Sequence, residues 1–192
     1  MGAFPGSFNP PTVAHLAIAD AARQQWGLDR VDLVVSRVAL AKEHVAHPRL
    51  EDRVAVLERV AATRPWLGVV VTDAQLLADI AEGYQVLVLG ADKWVQIQDP
   101  QFYGGSEAAR DRALARLPAL AVVPRPPHAV TGVDLLALPD GLAAVSSTAA
   151  RAAARHWMTE EAAAFDDETG AWSDLDRYMR WCQGSVAGQG GA

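Results

Sequence analysis

One cysteine, Cys182, occurs among the 192 residues. An intramolecular disulfide is therefore excluded, as is a zinc centre built on several thiolates. Long apolar runs are also absent, and none approaches the roughly 20 residues that a membrane-spanning helix needs. No basic-then-apolar segment of the secretory kind opens the sequence, so a reducing cytoplasm is the expected compartment. Positive charge is in short supply. Lysine and arginine total 17 against 23 acidic residues, a formal net charge of −6. That balance argues against a general nucleic-acid binder and leaves room for a local cationic site. The five histidines never take an H-E-x-x-H or similar spacing, so no protein-ligated metal is expected. Also missing are G-x-x-x-x-G-K-S/T, a G-x-G-x-x-G after the first strand and a G-x-S-x-G elbow. The P-loop, the dinucleotide fingerprint and the nucleophile elbow drop out with them.

Hydrophobic residues at 51% and charged residues at 21% are enough for one globular domain with a substantial core. Along the chain, strand and helix signals alternate. Met1 to Phe4, Val31 to Val35, Leu67 to Val71, Gln85 to Leu89 and Ala119 to Val123 read as strands. A further short strand is expected within Val133 to Leu138. Helices are expected from Thr12 to Gln25, from Leu50 to before Pro65, over Ala74 to Ala81, over Glu107 to Leu117 behind a Ser106 cap, and from Ser146 to about Trp157. Residues 159–183 read as an acidic helical extension of the same domain, with one helix near Asp174 to Trp181, and 184–192 as a flexible tail. The alternation predicts an α/β doubly wound, Rossmann-like parallel sheet of five to six strands, helices on both faces, in the order 3-2-1-4-5.

In that order, the loops after strands 1 and 4 meet where the sheet reverses its direction of growth, the place where such sheets bind ligands. Those two loops are the most suggestive in the chain. The first runs Gly6-Ser7-Phe8-Asn9-Pro10-Pro11-Thr12-Val13-Ala14-His15. It is a strand, a tight loop and a helix N-terminus with an imidazole one turn inside, which exposes backbone N–H groups to an anion. The other, Gly90-Ala91-Asp92-Lys93-Trp94, offers a glycine for close approach and a carboxylate that can accept from sugar hydroxyls.

The first loop resembles the signature G-S/T-F-D/N-P-x-H/T-x-G-H of the nucleotidylyltransferase superfamily. Ser146-Ser147-Thr148-Ala149-Ala150-Arg151 is similar to that family's I/V-S-S-T-x-I/V-R element, Gly90-Ala91-Asp92 to its G-A/G-D element, and Val122-Val123-Pro124-Arg125-Pro126 to the V-P-R-P of bacterial nicotinate mononucleotide adenylyltransferases. The likeness spans residues 1–158 and is greatest to the nicotinate and nicotinamide mononucleotide adenylyltransferases. It implies that His15, Thr12 and Lys42 serve catalysis. It assigns Gly6, Ser7, Phe8, Gly90, Asp92, Ser146, Ser147, Thr148 and Arg151 to the nucleotide, and Trp94 and Arg125 to the acceptor, with Trp94 reading equally as a core residue. Arg53, in Glu51-Asp52-Arg53-Val54, matches an E-x-R-L/V helix start in relatives and reads either as part of the site or as structural. Two positions depart from the pattern: Pro5 stands where glycine is common, and Ala14 replaces the signature's second glycine.

The resemblance implies transfer of a nucleotidyl, most simply adenylyl, group from ATP to a small phosphate-bearing acceptor. Pyrophosphate is released and Mg²⁺ is carried by the triphosphate. Neither nucleic acid nor membrane is an expected partner, and a homo-oligomer is compatible with the sequence. The S-Y-T segment that helps such relatives hold a pyridine carboxylate has no counterpart in Thr72 to Asp79. Phosphopantetheine or a sugar or alcohol phosphate as acceptor, CTP as donor, and a non-catalytic nucleotide sensor therefore stand as alternatives.

Overall fold

In the computed structural model, residues 1–38, 47–139, 141–142 and 145–187 are described. Lys42 and His44 lie outside the described residues. Six parallel strands form one sheet in the order β3-β2-β1-β4-β5-β6: β1 (Gly2–Pro5), β2 (Val31–Ser36), β3 (Leu67–Thr72), β4 (Val86–Gly90), β5 (Ala119–Val123) and β6 (Asp134–Leu135). This is the expected doubly wound order, with the short β6 added at the β5 edge.

Side-chain alternation explains the two faces. Phe4, Leu33, Val35, Val88, Ala121 and Val123 point to one side. There they meet Ile18, Ala19 and Ala22 of α1 (Val13–Gln25) and Leu57 and Val60 of α2 (Leu50–Ala62). Ala3, Val34, Leu87, Leu89 and Val122 point to the other. Against them pack α3 (Leu77–Ile80), α4 (Ala91–Gln96) and the end of α5 (Glu107–Leu114). Strands covered on both faces read as nearly unbroken apolar runs, which is why they were visible in the sequence.

Three helices complete the chain: α6 (Ser147–Ala152), α7 (Glu160–Thr169) and α8 (Leu175–Ala187). The helix expected to reach Trp157 stops at Ala152 and is followed by a separate 3₁₀ turn over Arg155–Trp157. α8 runs to Ala187, into the stretch read as tail, and residues 188–192 lie outside the described part. α7, which composition did not reveal, is capped by the Thr159 hydroxyl accepting from Ala162 N–H at 3.2 Å. Phe165, Trp172 and Tyr178 of this C-terminal part form a third core with Val56 of α2, Ala150 of α6 and Met158. The extension therefore covers the outer side of α2 and is built into the domain.

The sheet register also shapes the crevice. β1 pairs with β2 as far as Pro5↔Val34, but with β4 only at Gly2↔Val86 and Ala3↔Leu87. β1 and β4 have parted by the time the chain reaches Pro5. The N–H that proline lacks is therefore missing where the β1–β4 ladder has already ended.

Candidate active site

Beyond that parting of β1 and β4 opens a cleft of about 460 Å³, a size suited to a small-molecule ligand. The Gly6 to Thr12 loop forms its floor. Gly6 N–H donates to Val34 C=O at 3.0 Å and ties the loop to β2. Phe8, with φ of +45°, turns its ring back beneath the loop, where it is almost fully buried. A Cβ on residue 6 would lie 2.9 Å from that ring, so glycine is required there. The Phe8 ring meets Phe4 edge-on at 5.6 Å and His15 edge-on at 5.1 Å. Its contribution is to support the His15 ring from below.

His15 is positioned by Thr12, the N-cap of α1. Thr12 backbone N–H donates to His15 Nδ1 at 2.9 Å, and the Thr12 hydroxyl lies 2.8 Å from the same nitrogen. An amide N–H can only donate, so Nδ1 must accept and the ring proton resides on Nε2. Burial, with help from the Arg125 guanidinium, pushes the imidazole down to about 4. At neutral pH the group in the cleft is thus an uncharged, oriented Nε2–H donor. Thr12 itself is completely buried and acts through His15. Ala14 is also buried and lines the cleft, so its extra methyl is accommodated.

On the opposite wall, Gly90 ends β4 and caps α4. A Cβ there would fall 2.3 Å from Asp92 Oδ1 and 3.3 Å from Arg125 Nε, so those side chains can fold over the strand end only because residue 90 is glycine. Asp92 and Arg125 face each other at 3.8 Å, and both line the cleft. Trp94 does not belong to the cleft lining; it packs against the apolar cluster beneath α3 and α4.

The third wall is the start of α6. Ser146 Oγ accepts from Ala149 N–H at 3.1 Å as an N-cap, and Ser147 Oγ donates to Pro10 C=O at 2.8 Å. With these hydroxyls and the Ala149 amide committed, the Ser147 and Thr148 amides, which have no acceptor within the helix, are the groups left for a ligand. Ser146, Ser147 and Thr148 all line the cleft. Arg151 turns away, donating to Asn9 C=O and, at 3.4 Å, to Thr148 Oγ1. The structure thus gathers Gly6, Ser7, Phe8, Thr12, His15, Gly90, Asp92, Arg125 and Ser146 to Thr148 around one cleft, and leaves Trp94 and Arg151 out of its lining.

Residues 3–153 match the model of the cytidylyltransferase-like family. The chain belongs to that family. Curated relatives of this cytidylyltransferase-like protein include several that bear the name "Probable nicotinate-nucleotide adenylyltransferase". The one from Salinibacter ruber is 38% identical over 65 residues, 34% of this chain and 33% of that one. Those from Agrobacterium fabrum (37% over 62 residues, 32% of this chain and 33% of that one) and Treponema pallidum (36% over 66 residues, 34% and 32%) match to a similar extent. The matched part spans about a third of the length of these relatives. Family membership and fold together support an enzyme that transfers nucleotidyl groups.

Two cations of the cleft went unassigned or undecided in the sequence. Lys93, with Nζ 2.7 Å from Gln96 Oε1, lines the wall beside Asp92. Its signal was adjacency to Gly90-Ala91-Asp92. Arg53, on α2, reaches the loop from behind and donates from Nη1 to Ser7 C=O at 2.7 Å. Two further supports had no local signal. Trp172 Nε1 donates to Asn9 Oδ1 at 2.6 Å, and Thr159 N–H donates to Pro11 C=O at 3.1 Å.

Proposed function

We propose that the protein transfers the adenylyl group of MgATP to the phosphate of nicotinate mononucleotide or a close analogue, with release of pyrophosphate. The observation that carries this reading is the neutral His15, whose Nε2–H is presented to a cleft walled by the Ser146 helix start and the signature loop. In this reading an acceptor phosphate oxygen attacks the α-phosphorus in line, a new P–O bond forms, and the α–β bridging bond breaks as pyrophosphate leaves. His15 Nε2–H stabilises the charge that builds on the α-phosphate oxygens, and the first-turn amides of α6 take the leaving phosphates. Asp92 accepts from a ribose hydroxyl. No proton has to pass through His15, in keeping with a ring held neutral. Lys42 belongs to the same proposal as a phosphate cation. Positioning and charge stabilisation supply the catalysis.

A second reading concerns the acceptor. Apart from Phe4, Phe8 and His15, no aromatic ring lines the cleft among the described residues, and Trp94 packs, half-buried, against an apolar cluster outside it. This favours a non-aromatic phosphate ester, such as phosphopantetheine or a sugar or alcohol phosphate. The family also admits CTP as donor. A pyrophosphate-release screen pairing MgATP or MgCTP with nicotinate mononucleotide, nicotinamide mononucleotide, phosphopantetheine and simple alcohol phosphates separates these readings. The expected result is turnover with ATP and nicotinate mononucleotide. Turnover with a different pair reassigns the substrate, and ATP binding without turnover on any acceptor identifies a sensor.

A further inference from the structure

Arg53 is a charged side chain in an unusual position. It is only 6% exposed, although it lines the cleft. Its Nη1 is used on a neutral group, the Ser7 carbonyl, and its buried Nε has no hydrogen-bond partner. Among the described residues no carboxylate pairs with it. The adjacent Asp52 is occupied by Arg49, at 2.9 Å, and by the Tyr178 hydroxyl. Burial pushes the Arg53 guanidinium down from its ordinary value, and the neighbouring Glu51 carboxylate, which forms no ion pair with it, offsets that only in part. A buried cation without an ion-pair partner, offset only in part, is a standing penalty in the free protein. Such a penalty is removed by an anion that arrives on the cleft side.

We propose that Arg53 is the positioning cation of the nucleotide site: it fixes the signature loop through the Ser7 carbonyl and leaves its buried charge to be neutralised by the incoming polyphosphate. This rests on the reading that the cleft takes a nucleoside triphosphate. The loop amides and the first turn of α6 contact the phosphates, while Arg53 acts through the loop and through its field, which the low-dielectric surroundings transmit with little screening.

The Ser7 hydrogen bond and the unpaired charge pull the stability of the free protein in opposite directions, and MgATP affinity distinguishes a counter-charge from a mere brace. Arg53→Met keeps the bulk and removes the charge. Where the penalty of the unpaired charge outweighs the lost Ser7 hydrogen bond, the free R53M protein melts at or above the wild-type temperature. Its MgATP affinity falls about 10- to 100-fold, as expected for a lost charge-assisted interaction, while its response to adenosine is unchanged. Arg53→Lys restores the charge without the fork and recovers most of the MgATP affinity. These are read by thermal melts with and without ligand and by calorimetric titration of MgATP and adenosine. A free R53M protein that melts lower yet binds MgATP like wild type makes Arg53 a brace and overturns the proposal. If R53M does not fold, R53K decides: a folded R53K with wild-type-like MgATP affinity supports the charge role, and one that has lost it overturns that role. Absence of any MgATP response in the wild-type protein removes the nucleotide reading and this inference together. A normal wild-type response shared equally by R53M removes this inference alone.

Discussion

His15 carries two demands at the residue scale: it must stay neutral, and it must keep its proton on Nε2. Neutrality comes from burial and from Arg125, which together hold the ring at about 4. A histidine with an ordinary value near 6.5 in the unfolded chain then binds a proton there before it does so in the fold. Between these two values the unfolded state holds more protons, so stability falls as pH drops from about 6.5 towards 4. Up to about 3 kcal/mol is lost over that window. Urea titrations from pH 4.5 to 7.5 should show this slope in the wild type and lose most of it in His15→Gln. The same reasoning predicts turnover free of any His15 ionisation step above about pH 6. A step near pH 6.5 that disappears in H15Q would mean that the imidazole is charged in the site. His15→Ala should fold normally and lose about 10²–10³ in kcat, the usual effect of removing one oriented donor. The tautomer depends on Thr12 in a way that survives mutation, because the group that must donate to Nδ1 is the backbone N–H. Thr12→Val keeps that donor, so its kcat should fall by no more than about tenfold, the loss of one neutral hydrogen bond. A T12V loss as large as that of H15A would give the hydroxyl a direct part in the reaction.

At the scale of elements, the signature loop is held from behind by three separate parts of the chain. α2 supplies Arg53, α6 supplies Ser147 and Arg151, and the turn between α7 and α8 supplies Trp172. Trp172→Phe keeps the ring in its core but leaves Asn9 Oδ1 buried without its donor, which should destabilise the fold by about 1–3 kcal/mol. Because Asn9 lies in the loop, kcat/KM for the nucleotide should fall as well. Chemical denaturation and steady-state kinetics on W172F check the two halves. What the sequence made legible follows the same division. The Gly6 to His15 loop and the Ser146 cap could be read because their hydrogen bonds close within three or four residues, as in Thr12 with His15 and Ser146 with Ala149. Arg53 reaches Ser7 across 46 residues and Trp172 reaches Asn9 across 163, and no local pattern encodes such pairs. Trp94 was open to two readings, a ring in the site or a core residue; the structure packs it, half-buried, against the apolar cluster and outside the cleft lining. α7 was obscured by acidic composition, although Ala162, Phe165, Asp166 and Thr169 recur at buried helical spacing.

For the whole molecule, the C-terminal acidic segment decides whether the domain ends near Met158 or needs the rest. The sequence reads residues 159–183 as an acidic extension of the same domain without showing what holds it there. Packing makes them part of the fold: Phe165, Trp172 and Tyr178 bury their rings against α2 and α6, and Thr159 continues the contact between Met158 and Thr12. Deletion after residue 158 would uncover Val56 and Ala150, leave Asn9 Oδ1 and Pro11 C=O without their partners, and free Asp52 from Tyr178. Three buried aromatic rings correspond to roughly 150–250 Å² each, or about 4–6 kcal/mol per ring before chain entropy is subtracted. That is comparable with the whole stability of about 5–15 kcal/mol of an ordinary domain. The truncated chain should therefore lose its cooperative thermal transition by circular dichroism and, with the signature loop no longer held, its MgATP binding. A 1–158 fragment that melts cooperatively and binds MgATP as tightly as the full chain would make the segment an appendage. In that case the order of the loop would have to come from Arg53 and α6 alone, and W172F, by the same logic, would be silent.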